Sequence, residues 1–557
     1  MASRMLIRLG LLGVGGASIT YNVDELKIAA VGAQRFGRAV VTVTKIVVDY
    51  RKSLYSGSVT PASDNYAEVK SQTHLRSAKH LLDLCCLNGG AFVKCEYWNY
   101  VQVGQHLGSL EYLLPVEYVN TMKVLHSSAP KSPLEDVYKV IEKELKCKPE
   151  ELFVEFEPEP LGAASLAQVH RAKLHNGQEV AVKVQHPSVK SHSKVDMKGM
   201  ELLVGIVSRI FPEFRFEWLV EEMKKNLPKE LNFTNEAQNA EKVASQFTHL
   251  PWLKIPAIDW SLTTDRVLVM EFCEGGQVND RNYMITQGIN TNEVSEKIGK
   301  LYSEMIFVNG YVHCDPHPGN VLVKKVNNEA QIILLDHGLY TNLTSDFRVT
   351  YSKFWLSILN ANLNEIRQYG TELGVGELYG LFACMVTGRS WNSIAKGIDK
   401  MERSSTEQNE IKASAASYLP QISAVLNRVP RQMLLIFKTN DLLRGIEFSL
   451  NTQESMKSFI TMSRCCIRSL FAHQRTLCKS TLCTVRVSIA ETWAQFKISL
   501  YTLYLLYLHS NLDCLALERK DSGWFQVVQL MVLNLCFCIF SKHRPYQEKL
   551  LNSPREG

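Results

Sequence analysis

Residues 312–320 read Val-His-Cys-Asp-Pro-His-Pro-Gly-Asn, and they run into VLVKK (321–325), a turn at Asn327-Asn328, QIILL (331–335) and then Asp336-His337-Gly338. Two short apolar runs separated by turn-forming asparagines predict an antiparallel hairpin. Such a hairpin brings the chain back to where it left, so Asp336 is expected beside Asn320 and close to Asp315. Two carboxylates and one amide then converge. Hard oxygen ligands of this kind suit Mg²⁺ held together with phosphates, with one aspartate left to orient a nucleophile.

Working outward toward the N-terminus, Val180-Ala181-Val182-Lys183 sets a lysine near the end of a buried strand, and Asn176-Gly177 before it reads as the turn of a second hairpin. An ammonium group there needs an anionic partner, because burying it alone is expensive. Glu236, in Asn235-Glu236-Ala237-Gln238-Asn239, lies on a predicted helix and is the candidate, with a nucleotide phosphate as the second partner; Glu221, Glu222, Glu230 and Glu241 share that helical stretch. Before the lysine, Leu161-Gly162-Ala163-Ala164-Ser165-Leu166-Ala167-Gln168-Val169 links two strands with residues small enough for backbone to approach a phosphate.

Each part alone is weak, but their order is that of a protein kinase: small-residue loop, strand lysine, helix glutamate, D-x-x-x-x-N, then D-x-G. Three departures stand out. There is no G-x-G-x-x-G loop, Lys183 and Glu236 are 53 positions apart, and no A-P-E segment follows Asp336-His337-Gly338. Helical sequence restarts near Thr344, leaving little room for a segment that docks a peptide, so a protein substrate is in doubt.

The motifs P-L-G-A-A-S-L-A-Q-V-H, V-A-V-K-V-Q-H-P, H-C-D-P-H-P-G-N and L-L-D-H-G resemble those of the UbiB/aarF-domain-containing (ADCK) atypical kinases over roughly residues 70–460. The resemblance implies an α+β, protein-kinase-like two-lobed fold with an N-terminal helical extension and a helical C-terminal tail. It also implies ATP and Mg²⁺ as cofactors, a mitochondrial location and a role in quinone or membrane-lipid homeostasis. By motif position, Lys183 would contact phosphate, Glu236 would pair with it and Asp315 would be the catalytic aspartate, while Asn320 and Asp336 would hold metal and 161–169 would form the alanine-rich nucleotide loop. The family's K-x-G-Q hallmark is altered: Lys94 is separated from Val103-Gly104-Gln105 by Cys95–Gln102, and Asn232 stands where the family tends to have aspartate.

At 557 residues the chain is too long for one ordinary core. The expected division is a targeting segment (1–23), a helical extension (24–150), a kinase-like N-lobe (151–275), a helical C-lobe (276–455) and an apolar helical tail (456–557). With 46% hydrophobic and 21% charged residues, a mostly disordered chain and a polytopic membrane protein are excluded. A net charge of +6 is mild and gives no reason to invoke nucleic acid. The 14 cysteines include no C-x-x-C, so zinc modules lack ligand spacing, and the thiols are expected to be mostly reduced and buried.

The first 23 residues carry Arg4 and Arg8 with no acidic residue until Asp24, which predicts mitochondrial targeting over a secretory signal or short anchor. No apolar run reaches the length of a membrane span. Phe496–Leu508 and Phe525–Phe540 come closest, and they are either helices packed on the preceding domain or a peripheral attachment to the mitochondrial inner membrane, with Arg464, Arg468, Arg475, Lys479 and Arg486 preceding them. Three functions are compatible with these residues. The first is an atypical kinase or ATPase acting on a small molecule or lipid, and the second a nucleotide-binding scaffold without turnover. The third is a metal-dependent hydrolase built on His313, Asp315, His317, Asp336 and His337; it leaves Lys183 and the alanine-rich loop unexplained.

Overall fold

The computed structural model describes residues 23–54, 63, 65–88, 116–122, 131–163, 166–187, 189–210, 217–396, 419–452 and 456–515. The leader up to residue 22, Lys94 to Gln105 with its intervening Cys95–Gln102, Ala164, Ser165 and Phe525–Phe540 lie outside the described residues. The chain divides into two compact units after Ser455.

In the first unit, helices α1 (Val23–Leu54), α2 (Tyr66–Asn88), α3 (Val116–Met122) and α4 (Leu134–Leu145) precede the first sheet. That sheet is antiparallel and five-stranded: β1 (Phe153–Phe156), β2 (Gly162–Ala163), β3 (Ala167–Leu174), β4 (Glu179–Gln185) and, later in the chain, a strand over Val267–Glu271. Helix α4 turns Val137, Val140 and Ile141 onto it at helical spacing, where they meet Val180, Val182, Val184, Val267 and Val269. Alternation along β4 explains the division of its faces: the valines enter this core while Ala181 and Lys183 face the other way. Full burial of each such valine is worth roughly 1.5–3 kcal/mol, so this layer anchors the strand that carries the lysine. The β3–β4 turn contains Gly177 at φ +85°, a conformation in which a side chain would be strained.

Between β4 and the last strand of that sheet come α5 (Val189–Ile210), α6 (Glu217–Glu230), α7 (Phe233–Gln246) and β5 (Leu253–Lys254); the closing strand is β6 (Val267–Glu271). Helix α1 packs along α5, where a Cβ on Gly32 would lie 2.1 Å from Val195 Cγ1. Three positions on, Arg35 donates to Asp196 at 2.8 Å in a nearly sealed contact.

The chain then forms β7 (Gly276–Gln277), α8 (Arg281–Gln287) and α9 (Thr291–Ser303), followed by a π-helical turn at Glu304–Asn309, β8 (Tyr311–His313), β9 (Val321–Val326), β10 (Glu329–Leu334) and β11 (Tyr340–Asn342). The expected hairpin is β9–β10, with Val321 opposite Leu334 and Val326 opposite Glu329. Asn327 and Asn328 make its turn at φ +50° and +68°. β5 and β7 extend it to four strands, and β8 pairs with β11. These two- and three-residue strands are too short to announce themselves by alternation, and they were not anticipated.

Helices α10 (Ser345–Leu359), α11 (Leu363–Glu372), α12 (Tyr379–Thr387), α13 (Trp391–Lys396), α14 (Leu419–Arg428) and α15 (Arg431–Ser449) complete the unit. Phe354, Phe382 and Phe437, from α10, α12 and α15, contact one another in sequence with ring centroids 4.9 and 5.7 Å apart. The α+β expectation therefore holds, with helices before the sheets and a longer helical run after them.

The second unit contains α16 (Met456–Leu477) and α17 (Thr481–Leu515), which run back along each other with Arg464 donating to Gln495 and Ser499 and Arg475 pairing with Glu491. Their connection corrects the reduced-thiol expectation at one place: Cys478 and Cys483 form a disulfide, because the turn brings their Cα atoms to 5.6 Å. Among the described free cysteines, Cys85, Cys314, Cys465 and Cys466 are buried as expected, whereas Cys147, Cys273 and Cys384 are half-buried and Cys86 is exposed. Among the described residues, no helix is long and apolar enough to cross a membrane.

Candidate active site

Strand β4 and helix α7 meet the end of the β9–β10 hairpin, and Lys183 is where they meet. Its Nζ donates to Glu236 Oε1 at 2.7 Å and to Asp336 Oδ2 at 2.9 Å. Of the five glutamates in the helical stretch, α7 carries Glu236 and Glu241, and it is Glu236 that faces the lysine. Asn232 caps that helix, accepting from the amides of Thr234 and Asn235, so asparagine serves the cap here as aspartate would. Glu221 instead pairs with Arg431, and Glu241 accepts from the Trp260 indole.

The Asp336-His337-Gly338 turn is fastened to the same helix. Asn239 Nδ2 donates to the His337 carbonyl at 2.9 Å, and the His337 amide reaches Glu236 Oε1 at 3.4 Å. Gly338 donates its amide to Asp336 Oδ1 at 2.9 Å. A Cβ there would lie 3.2 Å from that oxygen and 3.8 Å from Glu236 Oε2, so glycine leaves the room the two carboxylates need.

Across the hairpin, the Leu335 amide donates to the Asn320 carbonyl at 2.9 Å, which sets Asn320 beside Asp336 as the strand count requires. Asn320 Nδ2 donates to the Asp315 carbonyl at 3.1 Å and approaches Asp315 Oδ2 at 3.4 Å. Asp315 Oδ1 is taken by Lys438 Nζ at 3.0 Å, from helix α15. Lys438 was not anticipated. Its signal was available: a lysine directly after the apolar run Met433–Phe437 must find an anion, by the argument applied to Lys183.

Three carboxylates and two ammonium groups thus share the site, a formal excess of one negative charge when all are ionised. Burial pulls the Lys183 pKa down, but the Asp336 and Glu236 charges outweigh it and hold the ammonium above its ordinary range. Burial likewise works against the Asp336 anion, and Lys183 overcomes it, leaving the carboxyl well below the usual range. At Asp315 burial is overcome by Lys438, and at Glu236 burial prevails and raises the value.

The histidines brace the loop. His337 Nε2 donates to the Leu334 carbonyl while Nδ1 accepts from the Tyr340 hydroxyl, and His313 Nδ1 meets the Tyr302 hydroxyl at 2.8 Å. Burial pushes His313 down to about 4 and His337 down to about 3, so both are neutral near pH 7. Both His337 nitrogens being engaged, and no cluster of three His, Cys, Asp or Glu being arranged for a metal among the described residues, the histidine-based hydrolase reading has no support.

In the small-residue loop, Leu161 and Gly162 are exposed and Ala163 half-buried on β2. A Cβ built at Gly162 meets nothing within 4 Å. Leu166, Ala167 and Gln168 are buried, and Gln168 is occupied with Ser132 and His170, accepting the Ser132 amide at 2.8 Å. Val169 is half-buried opposite Lys183 on β4.

The description "ABC1 atypical kinase-like domain" matches residues 124–370, the span that holds Lys183, Glu236, Asp315, Asn320 and Asp336. The chain is 52% identical over 514 residues to "AarF domain-containing protein kinase 1" of Gallus gallus, covering 92% of this chain and 97% of that one. It belongs to the ABC1/AarF family of atypical kinases. The Mus musculus ABC1/AarF protein of the same description is 53% identical over 485 residues, covering 87% and 90% of the two chains. The Drosophila melanogaster "AarF domain-containing kinase 1" is 49% identical over 512 residues, covering 91% and 97%. Among solved structures, the chain is similar to the Mycobacterium tuberculosis protein of "The complex structure of Rv3197-erythromycin", with a TM-score of 0.43 and 21% identity over 71% of this chain and 97% of that one.

Proposed function

We propose that this ABC1/AarF chain binds ATP with Mg²⁺ and transfers the terminal phosphoryl group to a small-molecule or lipid acceptor, or to water, in the mitochondrion, in support of quinone or membrane-lipid homeostasis. The observation that carries the reading is the Lys183 ammonium shared between Glu236 and Asp336 at 2.7 and 2.9 Å. In this reading Lys183 faces the nucleotide phosphates, Glu236 holds it in place, and the exposed Gly162 lets backbone approach them.

Asn320 and Asp336 would hold the metal. Their amide and carboxylate oxygens are hard donors, and Asp336 keeps about a third of its side chain accessible (32%) where Glu236 keeps 4%. Bound Mg²⁺ would supply the positive charge that the three carboxylates and a polyphosphate call for. Asp315 would orient the acceptor hydroxyl and receive its proton. Only residues 339–344 separate Gly338 from α10, which supports a small acceptor over a docked protein chain. That same shortness favours the second reading, a nucleotide-binding scaffold that does not turn over.

The test is thermal unfolding with ATP or ADP, with and without Mg²⁺. Linkage predicts a Mg²⁺-dependent rise in midpoint, about 2.7 kcal/mol of stabilisation at a hundred times the dissociation constant, and its loss in Asp336→Asn. An unchanged shift in that variant would remove the metal assignment.

A further inference from the structure

We infer that Lys438, on α15, is a positioning residue for phosphoryl transfer: its ammonium fixes the Asp315 carboxylate in the orientation that meets the acceptor. The inference rests on the proposed phosphoryl-transfer reading and adds to it a residue from outside the matched kinase-like domain, which ends at residue 370.

The geometry divides the carboxylate between two holders. Asn320 Nδ2, on the loop itself, approaches Oδ2 at 3.4 Å and is better placed on the Asp315 carbonyl at 3.1 Å, so it restrains the backbone more than the side-chain torsion. Lys438 Nζ, from a separate element, takes Oδ1 at 3.0 Å. The contact is directional, because the Lys438 side chain is 5% accessible and Asp315 32%: the lysine comes from the protein interior, and the carboxylate keeps an open side.

The lysine is itself held in place. Its neighbours on α15, Ile436, Phe437 and Thr439, are buried, and the Thr439 hydroxyl donates back to the Leu435 carbonyl at 2.9 Å. A four-carbon stem packed this way loses its freedom on folding, so no further ordering is required when a substrate arrives. The loop offers no substitute charge: His313 and His317 both have their pKa values lowered by burial. Lys183 is committed to Glu236 and Asp336. An aspartate that must face an acceptor beside another carboxylate and a polyphosphate would otherwise swing toward the nearest cation, and misplacement by about 1 Å can cost on the order of 10²-fold in rate.

The experiment measures two quantities on the full chain. Mg-ATP binding is read by thermal shift, and phosphoryl transfer by single-turnover hydrolysis of radiolabelled ATP with water as acceptor. Lys438→Met should keep a Mg-ATP shift and a half-saturating ATP concentration within about twofold of wild type while the single-turnover rate falls about 10- to 100-fold. Lys438→Arg, which retains the charge on a different head group, should recover part of the rate. A rate in Lys438→Met equal to wild type overturns the inference and leaves the nucleotide reading standing. So does a wild-type chain that binds Mg-ATP but shows no hydrolysis, since Asp315 then has no proton to receive. Absence of any Mg-ATP shift in wild type sinks the nucleotide reading itself. If Lys438→Met fails to fold, the Arg variant decides: an unchanged rate overturns the inference, and an intermediate rate supports it.

Discussion

Lys183 and Glu236 hold each other in a place where neither charge would be tolerated alone, since Glu236 is 3% exposed and the lysine head lies between two carboxylates. Removing one partner of such a buried pair commonly costs about 3–5 kcal/mol, because the survivor is left uncompensated. Lys183→Met should therefore lower the urea midpoint of the ligand-free protein as well as remove nucleotide binding. Adding Glu236→Gln should restore part of the stability and none of the binding. A double variant no more stable than the single one would show that the stranded Glu236 carboxylate is not the source of the cost.

Helix α17 presents two faces with different partners. Glu491, Gln495 and Ser499 meet α16, whereas Val485, Ile489, Trp493, Phe496 and Leu500 recur at three- and four-residue spacing on a stripe that is exposed. Residues 456–515 hold seven lysines and arginines (Lys457, Arg464, Arg468, Arg475, Lys479, Arg486, Lys497) against Glu491 and Asp513. An exposed apolar stripe within a basic segment suits an anionic lipid surface, which is one of the two placements expected for this tail, the other being a helix packed on the preceding domain. Replacing Trp493 and Phe496 by serine should reduce co-sedimentation with vesicles containing phosphatidylglycerol by about tenfold or more, given roughly 1.5–3 kcal/mol for each large apolar side chain buried. Equal sedimentation of variant and wild type would show that this stripe does not contact lipid.

The catalytic proposal involves only the first unit, and the mitochondrial part of it rests on the sequence at that unit's N-terminal end. Because Arg4 and Arg8 stand in a leader without acidic residues before Asp24, residues 1–40 fused to a fluorescent reporter should carry it to mitochondria. A cytosolic reporter would withdraw the localisation while leaving the site chemistry untouched.

The two asparagine-containing turns, the valine alternation around Lys183 and the five-residue interval from Asp315 to Asn320 were legible in the amino-acid order. Turn chemistry and strand periodicity act between near neighbours, and hairpin closure then placed Asp336 beside Asn320 by counting alone. Other features depended on folding at long range. The choice of Glu236 among five glutamates follows from where α7 crosses β4, and Asn239 on the His337 carbonyl follows from the same crossing. The short strands β5, β7, β8 and β11 exist only because a longer partner or a matching loop lies alongside. Lys438 shows the limit most plainly: the apolar run before it announced that a buried cation would need an anion, but which anion depended on how α15 meets the loop that carries Asp315. Burial creates the demand locally, and only tertiary packing supplies the partner.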